Sequence, residues 1–144
     1  GHHLPQAVLQ CFYRAKGRDR ICLVSDVAPI VGLPPGTYDK IYGDYMVEIH
    51  ESGKISLAGT PYLAGAALFL DRGIPNTVAL TDATIEDAVA MATVNPARLL
   101  GVDDRLGTVE AGKDATLTLF RWQEGDPALT ITGTIVGGEV VYRA

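Results

Sequence analysis

Basic residues, cysteines and long apolar runs are all scarce in this chain, and each scarcity removes a class of function. Twelve Lys and Arg stand against seventeen Asp and Glu, for a net charge of -5 and a pI near 5.0. Nucleic acid and anionic membrane both require a basic surface, so neither is expected as a partner. No apolar stretch reaches the ~18 residues that a membrane-crossing helix needs. No basic segment leads into an apolar core at the start, so no secretory signal is expected and a cytoplasmic setting is. The only two cysteines are Cys11 and Cys22. One falls in an expected helix and the other in an expected buried strand, so both read as reduced core residues. Two cysteines so placed do not make a zinc site. Internal repeats and low-complexity tracts are also absent.

What is present describes an ordinary globular chain. Its 144 residues are 47% hydrophobic and 20% charged, enough for one domain with a core. After Pro5, the apolar residues Val8, Leu9, Cys11, Phe12 and Ala15 have helical spacing over 6–16, with Gly17 as a stop. Residues 20–25 form a short run, Arg-Ile-Cys-Leu-Val-Ser, expected for a strand buried on both faces of a parallel sheet. Asp26 then sits at the carboxyl end of that strand, where α/β folds bind ligands. Residues 37–57 read as an antiparallel excursion turning at Ser52-Gly53. Residues 63–71 read as an apolar helix broken at 73–76.

Thr84 is placed to cap a helix, with Glu86 and Asp87 in its first turn and Ala88, Val89, Met91 and Ala92 on its buried face. Asn95-Pro96 reads as the start of a short helix that stops at Gly101. Three Thr-, Val- and Ile-rich segments follow, at 115–120, 129–136 and 139–142, the last two joined by the hairpin signal Gly137-Gly138.

The segment Thr93-Val94-Asn95-Pro96-Ala97-Arg98-Leu99-Leu100-Gly101, followed by Asp104-Arg105-Leu106-Gly107-Thr108-Val109-Glu110-Ala111-Gly112-Lys113-Asp114-Ala115, resembles the closing signature of the amidohydrolase superfamily. Three further places resemble the N-acetylglucosamine-6-phosphate deacetylases within it. Gly1-His2-His3 looks like the end of their seventh barrel strand, and Leu23-Val24-Ser25-Asp26 like their eighth. Leu57-Ala58-Gly59-Thr60 looks like their substrate-contacting segment. The sequence departs from that pattern at Val27, where the family has Ala, at Thr60, where it has Ser, and through 61–65. These departures bear on substrate more than on reaction class.

The resemblance implies an α/β fold: the C-terminal part of a TIM (β/α)8 barrel of the metal-dependent hydrolase type, then strands of a small β-sandwich. The implied division is 1–101 for the last β/α units, with a β excursion at 37–58, and 102–144 for the sandwich strands. A complete barrel needs roughly 200 residues or more, so the chain reads as a carboxy-terminal piece, inactive alone. The implied reaction is hydrolysis of an N-acetyl amide of an amino-sugar phosphate to amine and acetate. The alternatives are another amide or ring hydrolase on this scaffold, or a non-catalytic binding or assembly fragment.

By the same resemblance, Asp26 is the catalytic acid/base, and His3, Leu57, Ala58 and Gly59 contact the substrate. A divalent metal, zinc or iron, is implied for the parent enzyme. No metal ligand is expected here, because His2, His3 and His50 match none of the family's ligand motifs. Family enzymes are commonly dimers, and uncovered edges favour association, so a homo-oligomer is expected. Other readings stand beside these. Asp26 alone suits a turn after a strand. His3 suits an exposed strand end or a tag remnant, and residues 57–59 suit a strand-to-turn junction. Asn95 reads as a helix cap and Arg98 as a surface charge. His50 reads as solvent-facing, and Trp122 as packing.

Overall fold

The computed structural model describes residues 3–144, the side chains of Lys40 and Tyr42 excepted. The chain divides into two compact units. One comprises residues 3–5 with Ser25–Phe69, the other Gln6–Val24 with Leu70–Ala144. Gly1 and His2, the opening of the expected seventh-strand motif, lie outside the described residues.

In the first unit, β1 (Gly36–Tyr42), β2 (Tyr45–Ile49) and β3 (Ile55–Leu57) form an antiparallel sheet in that order, as the alternation predicts. Val47, Ile49 and Ile55 point to its covered face and make a core with Ala28, Ile30 and Ala64. Gly53, at φ 78, turns β2 into β3. The chain then folds back, pairing Leu63 with Ser56 antiparallel and Ala66 with Val27 parallel.

The second unit begins with α1 (Gln6–Lys16), as expected. It is held to the core through Tyr13. Val8 and Phe12 stay exposed. Both cysteines are free, Cys11 exposed and Cys22 half-buried, so the reading of two core cysteines is corrected.

The expected strand at 20–25 is also corrected. Arg18–Arg20 is a 3-10 turn, Ile21 after it is extended, and residues 21–26 lie in no strand ladder. An interior strand needs a partner on each side for its backbone groups. Instead, the Leu23 N–H donates to the Met91 carbonyl, and the Asn95 side chain donates to the carbonyls of Arg18 and Ile21 at 2.6 and 2.7 Å. Ile21 and Leu23 pack on the core, while Val24 is 77% exposed.

The helix expected at 63–71 lies further on, as α2 (Leu70–Leu80), and runs through Gly73 and Pro75 rather than breaking there. Pro75 has no N–H for the Asp71 carbonyl one turn back. The Leu129 N–H takes that carbonyl at 2.7 Å, which satisfies the group the proline frees. Next, α3 (Ile85–Ala92) is closed by a reciprocal capping box between Thr84 and Asp87, with Ala88 and Met91 buried. Then α4 (Val94–Leu100) ends on Gly101 in the left-handed conformation. Asn95 lies inside this helix and is buried, so it is a tether to residues 18–21 and not the cap.

Gly107 rests directly on α4. A Cβ there would lie 2.8 Å from Val94 Cα and 2.9 Å from Ala97 Cβ. Lys113 Nζ donates to the Asp103 carbonyl and to Thr108 Oγ1, both at 2.6 Å, and folds the loop after α4. The chain ends in β4 (Leu117–Arg121), β5 (Thr130–Val136) and β6 (Glu139–Arg143), an antiparallel sheet in that order. Gly137 and Gly138 both have positive φ, as the tight hairpin requires.

The whole is thus an α/β chain with two small antiparallel sheets. Among the described residues the one parallel pairing is the isolated Val27–Ala66 bridge, so the expected parallel barrel strand is not formed. No helix among the described residues is long and apolar enough to cross a membrane.

Candidate active site

The first unit contains every described candidate: His3, Asp26, Leu57, Ala58 and Gly59. Asp26 is exposed and has φ 49, the one non-glycine residue with positive φ among those described. Asp tolerates that region better than most side chains. Its carbonyl accepts from the Ala66 N–H at 2.7 Å, and the Ala28 N–H donates to the Ala66 carbonyl at 2.9 Å. The bend at Asp26 is thereby fastened to residues 65–66, with its carboxylate open to solvent.

His3 reaches the same segment. Its Nε2 lies 3.1 Å from the Gly65 carbonyl oxygen. Gly65 has φ 82, and a Cβ there would lie 3.1 Å from both Ala28 Cβ and the Asp26 carbonyl oxygen. The sequence marks Gly65 only within the 61–65 departure and assigns residues 65–66 no part in the site, because their contribution is made by backbone atoms. The glycine itself was the only available signal.

Leu57, Ala58 and Gly59 form the end of β3 and its turn. The Leu57 N–H donates to the Tyr62 carbonyl and the Ala58 N–H to the Met46 carbonyl, both at 2.9 Å. Thr60 Oγ1 donates to the Leu57 carbonyl at 2.9 Å and lies 3.2 Å from the Tyr62 amide, which donates to it. Leu57 and Ala58 are half-buried, and Gly59 is exposed at φ 73. So the turn keeps its shape through Thr60 and leaves Gly59 accessible.

His50 is half-buried, not simply solvent-facing. Its Nε2 is 2.7 Å from the buried Ser56 Oγ, and its Nδ1 is 3.6 Å from Glu48. This trio braces the β2–β3 hairpin. Among the described residues no three His, Cys, Asp or Glu side chains converge to hold a metal ion.

The other unit holds a structural polar cluster. Asp87 accepts from Tyr13, Arg18 and the Thr84 amide. Burial pushes its carboxyl up, but those hydrogen bonds outweigh burial and hold it below the usual carboxylate range. Donation to Asp87 in turn raises the Tyr13 hydroxyl. A groove of about 650 Å³ in this unit is lined by Ile85, Val89, Phe120 and Trp122, and no candidate residue contributes to it. Trp122 packs on the core and donates to the Asp126 carbonyl, in keeping with a packing role.

The sequence profile of the amidohydrolase family matches residues 46–141, two-thirds of the chain. The chain belongs to the amidohydrolase family. It is 37% identical over 118 residues to an N-acetylgalactosamine-6-phosphate deacetylase of Escherichia coli O157:H7, covering 81% of this chain and 30% of that one. It is 32% identical over 144 residues to an N-acetylglucosamine-6-phosphate deacetylase of Vibrio furnissii, covering 100% of this chain and 34% of that one. The crystal structure of the N-acetylglucosamine-6-phosphate deacetylase of Thermotoga maritima superposes with a TM-score of 0.84 at 31% identity, over 99% of this chain and 36% of that one. This amidohydrolase chain thus spans about a third of the length of these relatives. The family is generally metal-dependent.

Proposed function

We propose that this amidohydrolase chain supplies part of the active site of an enzyme that removes the N-acetyl group from an amino-sugar phosphate. Support comes chiefly from residues 65–66, which bond the Asp26 backbone carbonyl and the His3 imidazole, within a unit that also carries the exposed Asp26 carboxylate and residues 57–59. In this reading Asp26 takes a proton from the attacking water and passes it to the leaving amine. His3 and the Leu57-Ala58-Gly59 turn hold the sugar phosphate, and Gly59 lets it approach the backbone. The products are the free amine and acetate.

A divalent metal, zinc or iron, belongs to this proposal for the parent enzyme, but the described residues do not fit one. A metal centre therefore needs ligands from elsewhere. We place the chain in the C-terminal part of a (β/α)8 barrel through residue 101, with residues 102–144 contributing to a small β-sandwich. We also read the parent as a homo-oligomer.

The substrate is tested by acetate release from N-acetylglucosamine 6-phosphate by the full-length protein that carries this segment. Equal or greater activity on cyclic amides would overturn the reading. The galacto epimer is included as a second substrate, because the 37% match is to an N-acetylgalactosamine-6-phosphate deacetylase.

A further inference from the structure

We infer that the peptide group joining Gly65 to Ala66 is a shared positioning element for Asp26 and His3, with Gly65 as the positioning residue. This rests on the roles proposed above for those two side chains. The peptide is bonded at both of its polar ends. Its carbonyl, on Gly65, takes His3 Nε2 at 3.1 Å, and its N–H, on Ala66, donates to the Asp26 carbonyl at 2.7 Å. A peptide group is planar and turns as one body. Rotation that improved one bond would misalign the other, so the two residues are registered through a single rigid plane.

Two details make Gly65 necessary. Its φ of 82 is strained for any residue with a Cβ, and that Cβ would press at 3.1–3.3 Å on Ala28 Cβ, the Asp26 carbonyl and the Ala28 amide nitrogen. None of these is the free end of a flexible side chain. Asp26 has a positive φ and its carbonyl accepts from Ala66, and such backbone persists only when its surroundings hold it. The arrangement also assigns the imidazole. A carbonyl oxygen only accepts, so His3 Nε2 carries the hydrogen. Nδ1 can then accept from a hydroxyl when His3 is neutral, or donate to a phosphate when it is protonated.

The test is nuclear magnetic resonance on the 144-residue chain. His3→Ala removes the bond to the Gly65 carbonyl without touching Asp26 or the Ala66 amide. Hydrogen exchange at the Ala66 amide should then speed up about twofold to tenfold, the scale of one hydrogen bond's net contribution. Exchange at the Leu23 amide, in the other unit, should stay constant. Gly65→Ala should speed exchange at Ala66 further and turn His3 from a single Nε2–H tautomer into a mixture, read from its ring nitrogen shifts. Unchanged exchange at Ala66 in His3→Ala would overturn the inference, and so would an unchanged His3 tautomer in folded Gly65→Ala. If Gly65→Ala does not fold, the His3→Ala measurement decides alone. Neither readout is catalytic. A parent protein without deacetylase activity would overturn the proposed function and leave this result standing.

Discussion

Asp26 is the residue on which the catalytic reading turns. In the parent protein, Asp26→Asn should keep nearly the same shape and lose the carboxylate proposed to handle both protons. Acetate release should fall at least ~10²-fold, the usual scale for one acid/base residue. His3→Ala should raise KM more than it lowers kcat, because its proposed role is binding. Steady-state kinetics on the two variants checks both outcomes. Near-normal turnover in Asp26→Asn would remove Asp26 from the chemistry. At two other positions the structure predicts stability effects. Gly107→Ala puts a Cβ 2.8 Å from the backbone of α4 and should cost about 1–3 kcal/mol, the range for overpacking, read by denaturant melts. Asn95→Asp replaces a donor with a carboxylate facing the carbonyls of Arg18 and Ile21. It should destabilise more than Asn95→Ala does, because it buries a charge among acceptors.

At the scale of elements, the polar cluster that joins α1 to α3 makes stability depend on pH. The Asp87 carboxyl is held below its ordinary value of 3.8 in the folded chain. Its contribution is therefore complete above the unfolded value and lost as pH falls through the lower, folded one. The melting temperature should drop as pH falls below about 3.8, and Asp87→Asn should flatten that part of the curve. Thr84→Ala opens the same capping box and should cost about 1 kcal/mol at neutral pH.

These elements also show what was legible in the sequence. The Thr84 cap, the turns at Gly53 and Gly137-Gly138, and the three terminal strands all depend on neighbours close in the chain, and all were readable. The strand expected at 20–25 failed because its apolar run states a preference for burial and does not supply pairing partners. The break expected at 73–76 failed because Leu129, distant in sequence, takes the carbonyl that Pro75 frees. Of the site, Asp26 and His3 stood out by residue type and resemblance. Gly65 and Ala66 did not, since a backbone contact carries no side-chain signature.

Across the whole molecule, apolar side chains remain uncovered. Val24, Leu99, Leu100 and Val109 are each 74–83% exposed, and every residue of β6 faces solvent. Such surface favours association. Sedimentation should show species heavier than the 15.3 kDa of one chain, increasingly so at higher concentration. Leu99→Glu with Leu100→Glu should shift the distribution toward that mass. A single sharp 15.3 kDa species before substitution would count against it.

The bond from Leu129 to Asp71 has a consequence for synthesis on the ribosome. Translation delivers α2 well before Leu129. Until that residue emerges, the Asp71 carbonyl can be satisfied only by water, and α2 cannot close over its proline in the finished form. The second unit is itself interrupted, since Ser25–Phe69 is made between its two parts. It is therefore completed only once both parts have been made. A nascent chain stalled before Leu129 should be cut readily within α2 by a protease that spares the finished protein.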